Sequence, residues 1–358
     1  MSSRPPADSP APSSPYAAPA NAPAQGEPSL VVAFLLSFFA SGAGQFYLGR
    51  TKAAVGWLAL ATIGSAAAAL LFPALTDAGL FVVGGGLLFA LMLVRPLSAL
   101  ETLRASKIAS TRPTMVPVAV AFVVSFVLML GTSLFVRVFL VEAFKIPAGS
   151  MMPTLLIGDH VFVDKKATTF QRGHLLVFKY PENPDQDFVK RVIGIGGDRI
   201  QIRERELFIN DWAVPHCALG RGSLPQFQGE PATKGEVFLE FLDGEAYLTI
   251  RGDETSFVQN AGPWTVKSGQ AFVLGDNRDN SHDSRYWFGG NGGGVPADHA
   301  KGEPFVVWLN VGDDGMDTSR TGLSTSVPSL PTTMSALAPA LAKCLADRPS
   351  REKTIPPP

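Results

Sequence analysis

Four apolar stretches crowd residues 30–140, and they constrain this chain more than anything else in it. They run over about 30–48, 53–73, 79–95 and 115–140. A helix rises about 1.5 Å per residue, so crossing the hydrocarbon core of a bilayer takes about 20 apolar residues. The second and fourth stretches meet that length. The third is shorter and holds Gly84-Gly85-Gly86. Four such runs in close succession predict a multi-pass α-helical membrane region. Basic residues set its orientation. Arg95, Arg104, Lys107 and Arg112 outnumber Glu101 in the connector 95–114, and Arg50 and Lys52 follow the first stretch. Both turns are expected in the cytoplasm. The connector near Asp77 has no Lys or Arg and is expected outside. Four spans then place the N-terminal tail and everything after residue 140 on the extracytoplasmic side. Arg137, close to the end of the last stretch, is long enough to snorkel to the interface.

The flanks differ in texture. Residues 1–28 are rich in Pro, Ala and Ser, with too little apolar surface to offset the entropy of ordering, so a disordered tail is expected. The apolar run after it starts too late, and without a basic cluster, to be a signal peptide. SGAGQFYLGR, Ser41 to Arg50, resembles the Gly-rich turn of the small membrane module called the TM2 domain. On that resemblance 29–112 is a TM2-like region with three spans and 113–141 a further anchor helix. A plain membrane hairpin fits the same residues.

From about residue 142 the pattern changes to short alternating runs broken by Gly, Asn and Asp. HVFVDK, LLVFKY, FVKRVIGI, RIQIRE, ELFIND, GEVFLEF, EAYLTIRG, QAFVLGD and PFVVWLNV all read as strands. The fold class is thus a membrane region followed by a mainly-β domain over 142–312. The tail 313–358 is low in complexity and expected to be disordered, apart from a short surface helix at 333–346. The net charge of −1 gives no field that would favour nucleic acid. The two cysteines, Cys217 and Cys344, form no CxxC or Cys/His cluster, so no metal is expected. A bond between them would require the tail to dock, and the sequence leaves that open.

Three blocks carry chemistry. FKIPAGSMMPTL places Ser150 just after the last apolar stretch. FVKRVIGIGGDRI places Lys190 behind Phe188 and Val189. GDNRDNSHDSR covers Gly275 to Arg285. A Ser hydroxyl is a weak nucleophile until a base takes its proton. Lysine serves as that base only when neutral, and apolar burial lowers its pKa from about 10.4. In a strand Phe188 and Lys190 share one face. The pair therefore reads as a Ser/Lys hydrolase. His282 beside Asp283 admits a Ser-His-Asp reading, but neighbours in an extended segment seldom face each other. His160, His174, His216 and His299 are scattered.

Over roughly Arg137 to Gly312 the three blocks resemble bacterial type I signal peptidases. The resemblance implies a β-rich catalytic domain with an inserted β subdomain, placed here at about 199–270. It implies Ser150 as nucleophile, Lys190 as general base, and no metal or organic cofactor. It makes Ser281 the hydroxyl that orients the Lys, and Asp283 and Arg285 a bracing pair, with Asp276, Asn277 and Arg278 shaping the loop. The oxyanion donor is the Ser150 backbone N–H. Some relatives add a hydroxyl two positions earlier, where this chain has Ala148. Ile146, Pro147, Met151, Leu155, Phe188 and Val189 match one substrate pocket, and Phe144, Val161, Val177 and Asp187 a second. Core packing is an alternative use for these apolar side chains. The implied partners are secretory preproteins with Ala-x-Ala cleavage sites, together with membrane lipids. The implied place is the cytoplasmic membrane, with the catalytic domain outside. Two other readings remain: a processing peptidase of narrow range, and a non-catalytic membrane protein that binds exported chains.

Overall fold

The computed structural model describes residues 28–77, 93–104, 115–135, 141–224, 232–252, 259–312 and 315–348. The chain divides into two compact units, 1–67 with 87–130, and 68–86 with 131–358.

In the first unit the stretch expected as one span over 30–48 is two helices, α1 (Leu30–Phe39) and α2 (Ala43–Tyr47). Next come α3 (Thr51–Asp77), α4 (Val94–Leu103) and α5 (Met115–Phe135). The break after α1 has a polar cause. Gln45, fully buried, accepts from the Ser37 hydroxyl at 2.7 Å. Its amide donates to the Ser98 carbonyl and to Glu101 Oε2, both at 2.8 Å. Trp57 Nε1 and Arg50 also reach Glu101. Gly44 sits where a Cβ would lie 1.9 Å from the Ala33 carbonyl oxygen, so only glycine lets α1 and α2 approach this closely. The glycines and glutamine of SGAGQFYLGR thus serve a helical corner built around the hydrogen-bonded Gln45 side chain.

Among the described residues no helix is long and apolar enough to cross a membrane. The longest, α3 with 27 residues and α5 with 21, each contain residues whose side chains lie outside the described set. The stretch 79–95 and the tail 1–28 lie almost wholly outside it, as do Arg137, Lys107 and Arg112.

The second unit is built on sheets. The largest runs β1 (Val141–Lys145), β2 (Asp159–Asp164), β14 (Ala300–Gly312), β3 (Leu175–Tyr180), β4 (Asn183–Ile195), β12 (Gln270–Leu274) and β13 (Val295–Pro296) in spatial order. β15 (Gly315–Met316) and β16 (Leu323–Ser324) pair with β14. Every ladder in it is antiparallel. β2 shows why these segments extend: Asp159, Val161 and Val163 are buried, while His160, Phe162 and Asp164 between them are partly open. β4 is open over Asn183–Asp187 and then buries consecutive residues. Val192 joins the apolar cluster of Phe178 and Trp287, and Ile193 joins that of Ile200 and Phe272 on the other face.

Two smaller sheets follow β4. One is β11 (Ala261–Thr265), β5 (Arg199–Arg203), β6 (Glu206–Ile209) and β7 (Trp212–Ala213). The other is β10 (Glu245–Gly252), β9 (Thr233–Leu242) and β8 (His216–Leu224). All seven strands fall within the 199–270 interval taken for the insertion.

The C-terminal tail departs from the expectation of disorder. A 3-10 turn at Thr332–Leu337 leads into α6 (Ala338–Ala346). Met334 and Cys344 are buried in a cluster with Leu219, Leu224, Val237, Leu239 and Leu248 of the three-stranded sheet. Cys344 is bonded to Cys217 of β8, with 6.4 Å between the Cα atoms. The helix expected at 333–346 as a surface element is there, but with Met334 and Cys344 buried against the sheet.

Candidate active site

Ser150 lies in a 3-10 turn, Gly149–Met151, just after β1. The turn is pinned from below, because Met151 and Leu155 are fully buried and Leu155 N–H donates to the Met151 carbonyl at 3.0 Å. It is also pinned from the side. Asn277 donates its backbone N–H to the Ser150 carbonyl and its side-chain amide to the Gly149 carbonyl, both at 3.1 Å.

Lys190 comes from β4 and is 4% exposed. Its Nζ is 2.7 Å from Ser150 Oγ and 3.0 Å from the Val189 carbonyl oxygen. The Phe188 ring, on the same strand face, has its centroid 5.2 Å from Nζ. Burial drives the Lys190 pKa down to about 8. The charges of Asp283 and Asp276 act in the opposite sense, and that of Arg285 adds to the lowering. At that value a useful fraction of the amine is neutral near neutral pH and can accept the Ser150 proton.

The loop after β12 closes the site. Gly275 stands where a Cβ would lie 2.2 Å from Ser281 Oγ and 2.5 Å from the Ser150 carbonyl oxygen. Asp283 is fully buried. It accepts from Gly275 N–H at 3.0 Å and from Arg285 Nε and Nη2 at 2.8 and 2.9 Å. Burial alone would raise its carboxyl, but Arg285 and these bonds hold it below the ordinary range. Arg285 also donates to the Arg278 carbonyl at 2.7 Å, which fixes the loop on itself.

With this geometry in view, comparison with known proteins is decisive. Residues 119–309 match the family model described as signal peptidase, peptidase S26. Signal peptidase I of Pseudomonas aeruginosa is 35% identical over 238 residues, covering 58% of this chain and 80% of that protein. That of Pseudomonas fluorescens is 38% identical over 218 residues, covering 54% and 74%. That of Aquifex aeolicus is 33% identical over 218 residues, covering 52% and 83%. The chain belongs to the peptidase S26 family of signal peptidases.

Not every residue assigned from sequence sits where the peptidase was expected to place it. Ser281 is not among the hydrogen-bond partners of Lys190. Its buried hydroxyl meets no strict hydrogen-bond geometry, yet it is near enough to Asp283 to help lower that carboxyl. His282 is exposed and pairs with the Tyr180 hydroxyl at 2.9 Å, away from Ser150, so the Ser-His-Asp arrangement is not formed. Of the pocket residues, Ile146, Met151, Leu155, Val161 and Val177 form one buried cluster, with Phe144 and Val189 packed against it. Met151, Leu155 and Val161 are fully buried and act as core; Pro147 is exposed. Phe188 belongs to a different cluster and stacks on Tyr180 with 4.6 Å between centroids. Asp187 pairs with Lys301 at 2.7 Å.

The sequence reading missed a layer of buried charge behind the site. Arg191 grips Asp276 through Nε and Nη2 at 2.8 and 2.6 Å, and the Thr154 hydroxyl donates to the same carboxylate at 2.6 Å. Fully buried Glu240 accepts from Arg278 at 2.5 Å and from Arg251 at 3.5 Å. Burial would raise the Glu240 carboxyl, but those two guanidinium charges drive it down to about 2. The signal was present in one respect: Arg191 follows Lys190, and alternation sends the two side chains to opposite faces. Nothing in GEVFLEF marked Glu240 as buried. Among the described residues no group of His, Cys, Asp and Glu is placed to hold a metal ion.

Proposed function

We propose that Ser150 and Lys190 are the nucleophile and general base with which this serine endopeptidase removes signal peptides from exported proteins. The activity is that of its family. The observation that carries the roles is the 2.7 Å approach of a buried, pKa-lowered amine to a hydroxyl. The neutral amine takes the Ser150 proton as Oγ attacks the scissile carbonyl. The ammonium then returns a proton to the departing amine, leaving an ester on Oγ. That amine is the N-terminus of the mature protein; a water, deprotonated by Lys190, then hydrolyses the ester and frees the signal peptide.

The flanking ion pairs sustain this chemistry. Unpaired, Asp276 and Asp283 would stabilise the ammonium and keep Lys190 charged. Arg191 and Arg285 offset them. The oxyanion donor is the Ser150 N–H, with Ala148 providing no hydroxyl beside it. Phe144, Pro147 and Val189, at least partly open to solvent beside buried Ile146, are the apolar wall for the residue before the cleaved bond, and such a wall favours small residues such as Ala. Ser281, Asp283 and Arg285 brace the base through the loop.

The membrane placement is part of the same proposal: a multi-pass N-terminal region, lipids as neighbours, and the β domain outside the cytoplasm. Its support is the apolar sequence of α3 and α5 together with outward-facing Val55, Leu60, Ile63, Val116, Val123 and Phe126, all exposed. The Cys217–Cys344 bond agrees with an oxidising compartment.

The test is cleavage of an Ala-x-Ala preprotein in detergent. Ser150→Ala and Lys190→Ala should each lower the rate by about 10³-fold or more, in line with loss of a nucleophile or base. Undiminished cleavage by either variant would overturn the assignment. A panel of unrelated preproteins separates a general peptidase, which cleaves many, from a narrow one.

A further inference from the structure

Behind the loop that braces Lys190 is a second charged centre that the proposed reaction does not use. A cavity of about 20 Å³ is lined by Arg205, Arg251, Arg278, Arg285 and Asp279, with Ile202 and Leu207 as its apolar wall. A cavity needs roughly 10–15 Å³ to hold one water-sized occupant, so this one has room for a small one. Two of its arginines are more than nine-tenths buried, Arg251 at 9% and Arg278 at 7% exposure. Among the described residues, the Nε of each is buried with no hydrogen-bond partner.

The surrounding charge does not balance. Arg205 Nη2 donates to Asp279 at 2.6 Å and to the Gly252 carbonyl at 3.1 Å. Glu240 serves both Arg251 and Arg278, and Asp283 serves Arg285. Among the described residues, four guanidinium groups therefore share three carboxylates. The next carboxylate, Glu206, is about half exposed and pairs with His216 at 3.6 Å. Arg251 has the weakest partner: among the described residues its one carboxylate contact is the 3.5 Å bond to Glu240, and the Phe238 ring covers one face of its guanidinium at 4.2 Å. Burial accordingly depresses its pKa, whereas carboxylate neighbours raise those of Arg278 and Arg285. Two buried N–H donors left unmade are costly to the fold, and the unpaired positive charge adds to that.

We infer that this cavity is a binding site for one chloride-sized monovalent anion, held by the Nε–H groups of Arg251 and Arg278 within the charge of Arg205 and Arg285. One negative charge closes the local balance, and a single-atom ion suits the volume. Phosphate and sulfate are too large for it. The anion joins β10, the β5–β6 turn and the loop after β12, so its occupancy stabilises the folded peptidase.

The test uses the full chain in detergent at constant ionic strength, with gluconate exchanged for chloride. Chloride should raise Tm by several degrees along a saturating curve, and sulfate should not. The chlorine-35 resonance should broaden in its presence. Arg251→Gln should lose the saturable rise and at least about five-fold of the broadening, and Arg205→Gln, a less buried change, should weaken both. Arg203→Gln, a partly exposed position outside the cavity, should keep them. A wild-type Tm and linewidth indifferent to chloride would mean a water-filled cavity and overturn the inference, as would equal responses in wild type and Arg251→Gln.

Discussion

Lys190 is held in a setting that works against its own charge. With the folded pKa near 8 and an ordinary value of 10.5, the folded state binds fewer protons than the unfolded chain between those limits. Stability should therefore rise with pH from about 8 to about 10.5. Below 8 the full penalty applies, about 3 kcal/mol at about 1.4 per unit. Lys190→Met, similar in shape and uncharged, should abolish cleavage yet raise Tm at pH 7, read by thermal unfolding. The same value sets the acid limb of the kcat/KM profile, with activity climbing through an apparent pKa near 8. Arg285→Gln removes the partner of Asp283. The freed carboxylate favours the ammonium, so the limb should move up by about one unit or more. An unmoved limb would assign Arg285 a structural part only. Lys190 and Ser150 were legible as residues because burial, nucleophile and base leave a recognisable pattern. The role expected of Ser281 was not, since which side chains touch depends on rotamers that the sequence does not set.

Among elements, the loop from Gly275 to Arg285 bears on Ser150 most directly. It approaches the Ser150 turn so closely that a methyl group at Gly275 would meet a backbone oxygen at 2.5 Å. Backbone cannot swing aside as a flexible side-chain end can. Gly275→Ala should push the loop off the turn and lower kcat by about 10²-fold, since misplacement by about 1 Å costs that much. KM should change less, because the apolar wall is elsewhere. A kcat within two-fold of wild type would contradict this. The strands themselves were readable because period-2 alternation is strong: all nine runs named from sequence occur as β2, β3, β4, β5, β6, β9, β10, β12 and β14. HCALGRGSL was passed over as β8, its apolar residues being few and its glycines many. The apolar run at 30–48 suggested one helix, and only the buried contacts of Gln45 show why it turns.

At the scale of the whole molecule, the tail is tied to the inserted sheets across 127 residues by Cys217–Cys344. Closing so long a loop restricts the unfolded chain, and natural bonds of this kind contribute about 2–5 kcal/mol. Cys344→Ser should lower Tm by several degrees, and a reductant should lower wild type to the same point. A Tm unchanged in both cases would mean that Met334 and its neighbours hold the tail unaided. Strand order has a further consequence. β14 lies between β2 and β3, so within the sheet the strands flanking Ser150 and the strand pair bearing Lys190 are joined through a strand late in the chain. A chain cut short before Ala300 should carry both reacting groups yet lack the strand that joins their two parts of the sheet.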